Sequence, residues 1–343
     1  MRYYDISITA DQASTTPLSF KTRNGTVTAR WQSHPGGVFN PQAPDVEFQL
    51  YVAPAAAPIG GSFVRIWGVD LALLVNAIVF SGNTNSKTPS PPAWINIQGG
   101  MLAGLPLNDP TQAGLLSAGI VWQSFGNWRG TEMTLDLMLN SGGASLSRPA
   151  NIILNWQKGQ TLQGALESCI LTAFPGATLS IAISQNLIAP ATQVHRASTL
   201  TGLAQLVSSL TQQMQGIGSL GVQIVAQKGV ISVFDGTSPP KAKQINFTDL
   251  IGQPTWQAQN ELWIQTVLRG DIFLGDAILM PKELSRLGPY VLTEPQSLPA
   301  FRQQSAIQGQ FFVKAARHVG RFRASDGAQW SSTYVCGPLL NLG

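Results

Sequence analysis

Along the first 140 residues, apolar positions recur every second residue. Tyr4, Ile6 and Ile8 alternate with Asp5, Ser7 and Thr9, the period of a half-buried strand. In VEFQLYV (46–52), Val46, Phe48, Leu50 and Val52 share one face. GTVTARWQS (25–33) follows Asn24-Gly25, a strong hairpin signal. In EMTLDLML (132–139), Met133, Leu135, Leu137 and Leu139 point inward, with Glu132, Thr134 and Asp136 outward. The most apolar run, residues 63–80, carries Arg65 and Asp70 and falls short of a membrane span, so it is read as two buried strands. APAAAPIGG (53–61) and NTNSKTPSPP (83–92) are loops rich in Pro, Gly and small residues. The first is also apolar, which suits either a mobile surface loop or an arm ordered against a neighbouring subunit.

The period changes after NSGGASLSRPAN (140–151), which reads as a linker. Beyond Thr161, a good N-cap, Leu162, Leu166, Cys169, Ile170 and Ala173 have helical spacing, and Pro175-Gly176 ends the run. TLSIAIS (178–184) is a strand. A second helix is expected over residues 199–214, with Leu203, Leu206, Val207, Leu210 and Met214 on one side and Gly216 as its end. Residues 221–235 form a hairpin turning at Lys228-Gly229, and 237–241 lead out of it. The remaining hundred residues return to β. Their last hairpin, 317–335, turns at Asp326-Gly327, a dipeptide suited to a tight type I′ turn. It sets Arg317, Val319, Arg321 and Arg323 on one face, and His318, Gly320 and Phe322 on the other.

Composition narrows the class. A chain of 343 residues is long for one domain, and 44% hydrophobic residues can give each of two or three domains a core. Charged residues make up only 11%, against an average of about 25%. Such a surface repels its neighbours weakly and suits a protein that lives in an assembly. A secreted or adhesive all-β protein is the alternative. The net charge of +4 comes with no long Lys/Arg run, so it does not indicate nucleic-acid binding by itself. Cys169 and Cys336 can build neither a disulfide framework nor a four-ligand zinc site. They are read as free core thiols, with a single bridge as the alternative. MRYYDISIT has no basic region followed by an apolar stretch and is not read as a signal peptide.

Catalytic patterns are absent. His34, His195 and His318 lie in three separate regions with no metal-ligand spacing, so neither metal nor cofactor is expected. The chain contains no nucleophile elbow, P-loop or dinucleotide-binding glycine motif. Glu132 and Asp136 share an exposed strand face but stand roughly 13 Å apart along it. Glycosidase pairs need about 5–9.5 Å. His318 and Asp326 are the best remaining pair, and a structural or partner-facing role suits them better than catalysis. The expectation is therefore a protein that is not an enzyme. Arg317, Arg321 and Arg323 form the one basic row, read as a solvated strand face or as a surface for an acidic partner or passing nucleic acid. No aromatic residues interleave it for base stacking. Arg269-Gly270-Asp271 sits where a strand ends, a common place for Gly and Asp, and is not read as an adhesion motif.

Residues 251–255 read Ile-Gly-Gln-Pro-Thr. A strand follows, then Leu268-Arg269-Gly270-Asp271 and Leu274-Gly275-Asp276-Ala277-Ile278-Leu279. His318-Val319-Gly320 and Gly327-Ala328-Gln329-Trp330 come later. Together these resemble the barrel signature of baseplate central hub proteins of long-tailed bacteriophages, Mu-like ones included, and of the amino-terminal part of type VI secretion spike proteins. The resemblance is clearest over about residues 150–336. It departs from the family at Arg321, where an acidic residue is frequent.

The resemblance implies a mainly β fold with an α+β insert and two tail-tube-like β-barrel domains. The expected division is residues 1–148, the insert 149–236, and 237–343. It further implies a homotrimeric structural virion protein without membrane insertion. Such a hub joins a hexameric tail tube or distal tail protein to a threefold spike or tip. Its ring surrounds the channel through which the tape-measure protein and genomic DNA leave. The alternatives are a hexameric distal tail or tube protein and, from another class, a glycan-degrading or glycan-binding tail protein.

Overall fold

The computed structural model describes residues 1–22, 25–56, 61–82, 90–102, 109–140, 150–215, 221–237, 242–258, 261–282, 284, 307 and 309–339. The protein is mostly β. Thirteen of the described strands join in one sheet. From one edge it runs through Thr255–Ala258, Glu261–Val267, Trp330–Pro338 and Gln310–Arg321. It continues through Val46–Val52, Ser62–Trp67, Glu132–Asn140 and Gly114–Arg129, then Trp94–Met101, Arg2–Thr9 and Arg30–Gln32. Ala277–Leu279 also pairs with Gln310–Arg321, and carries Lys243–Gln244 on its other side. The ladder between Gln310–Arg321 and Val46–Val52, from Ala316 opposite Val52 to Arg321 opposite Glu47, makes the amino- and carboxy-terminal β regions a single sheet.

Among the described residues, buried side chains gather in three hydrophobic clusters. The first gathers Tyr4, Ile6, Phe48, Ile66 and Leu137 with their neighbours, and receives Leu268, Phe322 and Trp330 from the carboxy-terminal region. The second lies within residues 150–233, where the helices Leu162–Ala173 and Leu200–Gln215 pack on short strands; Ala55 alone among its buried members comes from outside. The third gathers Trp256, Ile264, Phe311 and Tyr334, with Val52, Val225 and Phe234 from the other regions. Each core therefore borrows side chains from another part of the chain. Fully burying one such Leu, Ile or Phe contributes about 1.5–3 kcal/mol.

Many local expectations hold. Val46–Val52 alternates strictly between buried and half-buried positions. The Thr161 hydroxyl accepts from the Gly164 N–H at the start of Leu162–Ala173. Lys228 (φ 51°) and Gly229 (φ 82°) make the left-handed two-residue turn between Gln223–Gln227 and Val230–Phe234. Asn24, Gly216 and most of the 140–151 linker lie outside the described residues.

Other expectations need correcting. Residues 63–80 are not two strands. After Ser62–Trp67, Gly68 turns the chain at φ 68°, and Asp70 accepts from the Ala72 N–H to start a helix over Leu71–Val75. A second helix follows over Ala77–Phe80, and Leu73, Ala77 and Phe80 reach the core at helical spacing. A continuous apolar run lacks the period that tells helix from strand. In Leu200–Gln215 the buried face is rotated: Leu200, Leu203, Ala204, Val207 and Thr211 are buried while Met214 is exposed. Thr211 faces inward because its hydroxyl accepts from the Val222 N–H and donates to the Val207 carbonyl. The Asp326-Gly327 turn is not a tight one. The ladder stops at Gly320 opposite Trp330, and Asp326 instead caps a short 3-10 turn, Gly327–Gln329. Phe322 enters the first core at this point, which draws the chain out of register with its partner strand. The strand Gln193–Ala197, paired with Ile152–Trp156, carries too weak an apolar alternation to be seen in the sequence.

Gly252 (φ 77°) and Gly275 (φ 88°) both sit in the left-handed region, as the motif turns require. A Cβ on Gly252 meets open space, whereas one on Gly275 lies 2.7 Å from the Phe234 ring. Gly275→Val is therefore expected to lower the melting temperature well beyond Gly252→Val, which adds only backbone strain. Equal losses in thermal unfolding would refute this packing.

Candidate functional site

Eight strands of the sheet, from Thr255–Ala258 to Gly114–Arg129, present one continuous outward face. The register sets Gln265, Thr333, Arg317 and Tyr51 side by side in one cross-strand row. A second row holds Arg321, Glu47, Arg65, Asp136 and Phe125. Two edges bound this face. Among the described residues, 122–129 pair only with Glu132–Asn140, because Trp94–Met101 takes just the first half of the long Gly114–Arg129 strand. At the other end Thr255–Ala258 pairs only with Glu261–Val267 among the described strands, and Leu250 and Ile251 extend that edge against Thr266 and Gln265.

The predicted basic row divides between two tasks. Arg317 and Arg321 lie exposed on the sheet face. The Arg317 guanidinium sits 5.5 Å from the Tyr51 ring centroid, and Arg321 stands across from Glu47. Arg323 leaves the row: its guanidinium donates to the carbonyls of Pro41 and Ala43, and its N–H to Asp45. Arg2 makes the reciprocal tie, donating to the carbonyls of Arg321, Phe322, Ala324 and Asp326. These two arginines staple the amino-terminal strand and the loop before Val46–Val52 to the carboxy-terminal hairpin, a use the sequence did not signal.

Glu132 and Asp136 line a shallow cleft of about 170 Å³ with Arg65, Trp67, Asn127, Arg129 and Thr134. Asp136 is engaged there by Arg65 through two bonds of 2.7 and 3.0 Å and by Asn127 at 2.9 Å. An aspartate held this way is occupied in joining strands. His318 and Asp326 are not brought together: His318 is buried against the Ser332 hydroxyl at 2.8 Å, and Asp326 caps the 3-10 turn. Burial, and then the charge of Lys228, push the His318 imidazole down to about 3. Cys169 and Cys336 are free and buried in different cores. No cluster of three or more metal-binding side chains occurs among the described residues, and no described helix is long and apolar enough to cross a membrane.

Behind the face lies a polar joint that links all three regions. Arg269, 2% exposed, donates to both oxygens of Asp271 at 2.8 and 2.7 Å and to Asp249 at 3.1 Å. A buried arginine cannot serve as an adhesion ligand. The Gly270 N–H donates to the Gln112 carbonyl, and the Gln112 amide to Asp249. From the insert, Lys228 donates to the Gly270 carbonyl at 2.6 Å with its ammonium 3.6 Å from the Phe273 ring centroid. Lys243 bonds the Asp271 carbonyl and pairs with Asp276 at 2.7 Å. Gln12, from the first region, donates to the Gly229 carbonyl.

Burial outweighs the aromatic contact at Lys228 and lowers its ammonium from 10.5 to about 7, with Lys243 repelling it further. Between those values the unfolded chain holds a proton that the folded chain has released. Stability from this group therefore grows as pH rises from 7 and is lost as pH falls through 7. Lys228→Met, which keeps the packing on Phe273, should remove that slope between pH 7 and 10 in urea unfolding. An unchanged slope would place the titration elsewhere.

No protein-family model matches the chain, and no curated protein matches its sequence. Solved structures do match, at very low identity. The Escherichia coli c3393 protein, a component of the type VI secretion system described as structurally similar to the T4 bacteriophage tail proteins gp27 and gp5, is 10% identical. The match has a TM-score of 0.50 and covers 86% of this chain and 73% of that one. A tail protein from Neisseria meningitidis MC58 is 10% identical, with a TM-score of 0.44 over 98% of this chain and 96% of that one. The 43 kDa tail protein of prophage MuSo2 from Shewanella oneidensis is 7% identical, with a TM-score of 0.48 over 98% and 97%. The resemblance read from the motifs is thus matched at the level of the fold: the chain shares its architecture with a type VI secretion component that itself resembles phage tail proteins.

Proposed function

We propose that this chain is a structural tail protein, the homotrimeric hub of a phage-type baseplate or tail tip. One observation carries the reading. Eight strands drawn from both β regions share one outward face and end in two edges, residues 122–129 and 250–258, that have no further partner strand among the described residues. Unpaired edges are templates for strand addition, and a monomer that leaves two of them open invites association. Two different edges of one sheet would meet head to tail between copies, which closes into a ring when the rotation per copy allows it. Three copies would turn the shared face inward around a channel.

On this reading residues 1–148 and 237–343 are the two tube-like units and 149–236 the insert. Two similar units per chain would offer six to a hexameric tail tube or distal tail protein, and true threefold symmetry to a spike or tip. Arg317 and Arg321 would face the channel used by the tape-measure protein and genomic DNA. Nothing on that face is arranged to read bases. The protein would then reside in the virion and would act by assembly, without catalysis.

Light scattering over a range of concentrations tests this directly. A species near three times 36.6 kDa is expected. A hexamer would favour a distal tail or tube protein, and a chain that stays monomeric at every concentration would count against the ring. Gln257→Pro changes an exposed residue at the bulge of the edge strand, outside its ladder. It should abolish the trimer while leaving the melting temperature within a few degrees of wild type. A trimer that survives the proline would rule out that edge as the joint.

A further inference from the structure

The two short helices over residues 71–80 bury one side and expose the other. Leu71, Val75 and Ile78, spaced i, i+4 and i+7, are 50%, 68% and 70% exposed. Val79 is exposed beside them, and the stretch from Leu71 to Phe80 contains no charged residue. These helices lie along the second half of Gly114–Arg129: the Ser124 hydroxyl donates to the Ala77 carbonyl, and Gly126 lets Leu74 approach closely. Trp128, on the same side of that strand as Ser124 and Gly126, is 65% exposed, and Trp122 stands exposed at the bulge where the free edge begins. The exposed parts of these six side chains amount to roughly 600 Å² of apolar surface, taking about 150–250 Å² for a large side chain. That is much apolar surface for a monomer to expose around one strand, and a standard interface needs about 800 Å² per partner.

The position of the patch identifies what covers it. It borders the edge at 122–129, which is open among the described residues, so whatever pairs with that edge also lies against these helices. The other open edge of the same chain, 250–258, carries an apolar group of its own. Phe247 is exposed in the turn Phe247–Asp249, and Leu250 and Ile251 are half-buried along the edge.

We infer that the helical stripe of one copy packs on Phe247, Leu250 and Ile251 of the next copy, sealing the outer side of each joint in the ring. The inference rests on the hub reading and adds the surface that makes edge pairing specific. Strand pairing alone is blind to side chains on the outer side, whereas an apolar stripe against an aromatic anchor fixes one register and one partner. Six uncharged apolar side chains also call for a partner surface without charge, which this chain, poor in charged residues, supplies.

The test uses two complementary variants of the full chain, Val75→Asp/Ile78→Asp and Phe247→Asp. All three residues are exposed, so each variant should keep the wild-type circular dichroism spectrum. In light scattering each should lose the trimer, with its dissociation constant raised at least about 100-fold by charges forced into an apolar contact. Because the joint is head to tail, mixing the two variants restores one intact joint per pair. The mixture should give a species of two chains that does not close into three. A double variant that stays trimeric, or a mixture that stays monomeric, would overturn the inference and leave the trimeric hub standing. A wild-type chain that never trimerises would fail the hub reading first, and this inference with it.

Discussion

The architecture depends on the buried guanidinium of Arg269. An unpaired charge at that depth would cost several kcal/mol, so the chain must bring carboxylates to it. Asp271 comes from the same turn and Asp249 from the loop before the edge strand, while Gln112 reaches Asp249 from the first β region. Once these groups meet, the Gly270 carbonyl is fixed where Lys228 of the insert can reach it. A short polar turn thereby determines how three hydrophobic clusters stand relative to one another. Hydrophobic contact is not directional and could not do this alone.

With that joint set, the Gln310–Arg321 strand lies alongside Val46–Val52, and two β regions far apart in sequence become one sheet. Its inner side feeds the cores. Its outer side is nearly balanced in charge: Arg65 is tied to Asp136, Arg321 faces Glu47 and Arg317 leans on Tyr51. Such pairs add little stability on an exposed face, but they hold strand register and leave few strong charges to retain a polyanion.

The motifs that resemble hub proteins are, in this light, structural. Gly275 gives the left-handed turn that lets Phe234 of the insert close over it, Asp276 accepts from the Phe273 N–H and pairs with Lys243, and Gly320 lets the Phe48 ring cross the neighbouring strand. These positions define a joint between chain regions.

What the sequence determined by itself was local: the alternation in Val46–Val52, the N-cap at Thr161, the left-handed turn at Lys228-Gly229, and the separation of arginines from His318 and Phe322 along one strand. Each follows from the period of a side chain along its own backbone or from a turn that needs a particular φ. Only the tertiary structure decided the rest. Residues 71–80 became helix because one face had a core to meet, and Met214 was left exposed because Thr211 found a backbone partner instead. Arg323 left the expected surface row and became a staple, as did Arg2 at the other end of the chain, because distant carbonyls came within reach. Those choices depend on partners that meet only in the folded chain, from Val222 beside Thr211 to Arg321 beside Arg2, and no local pattern encodes where such partners will stand.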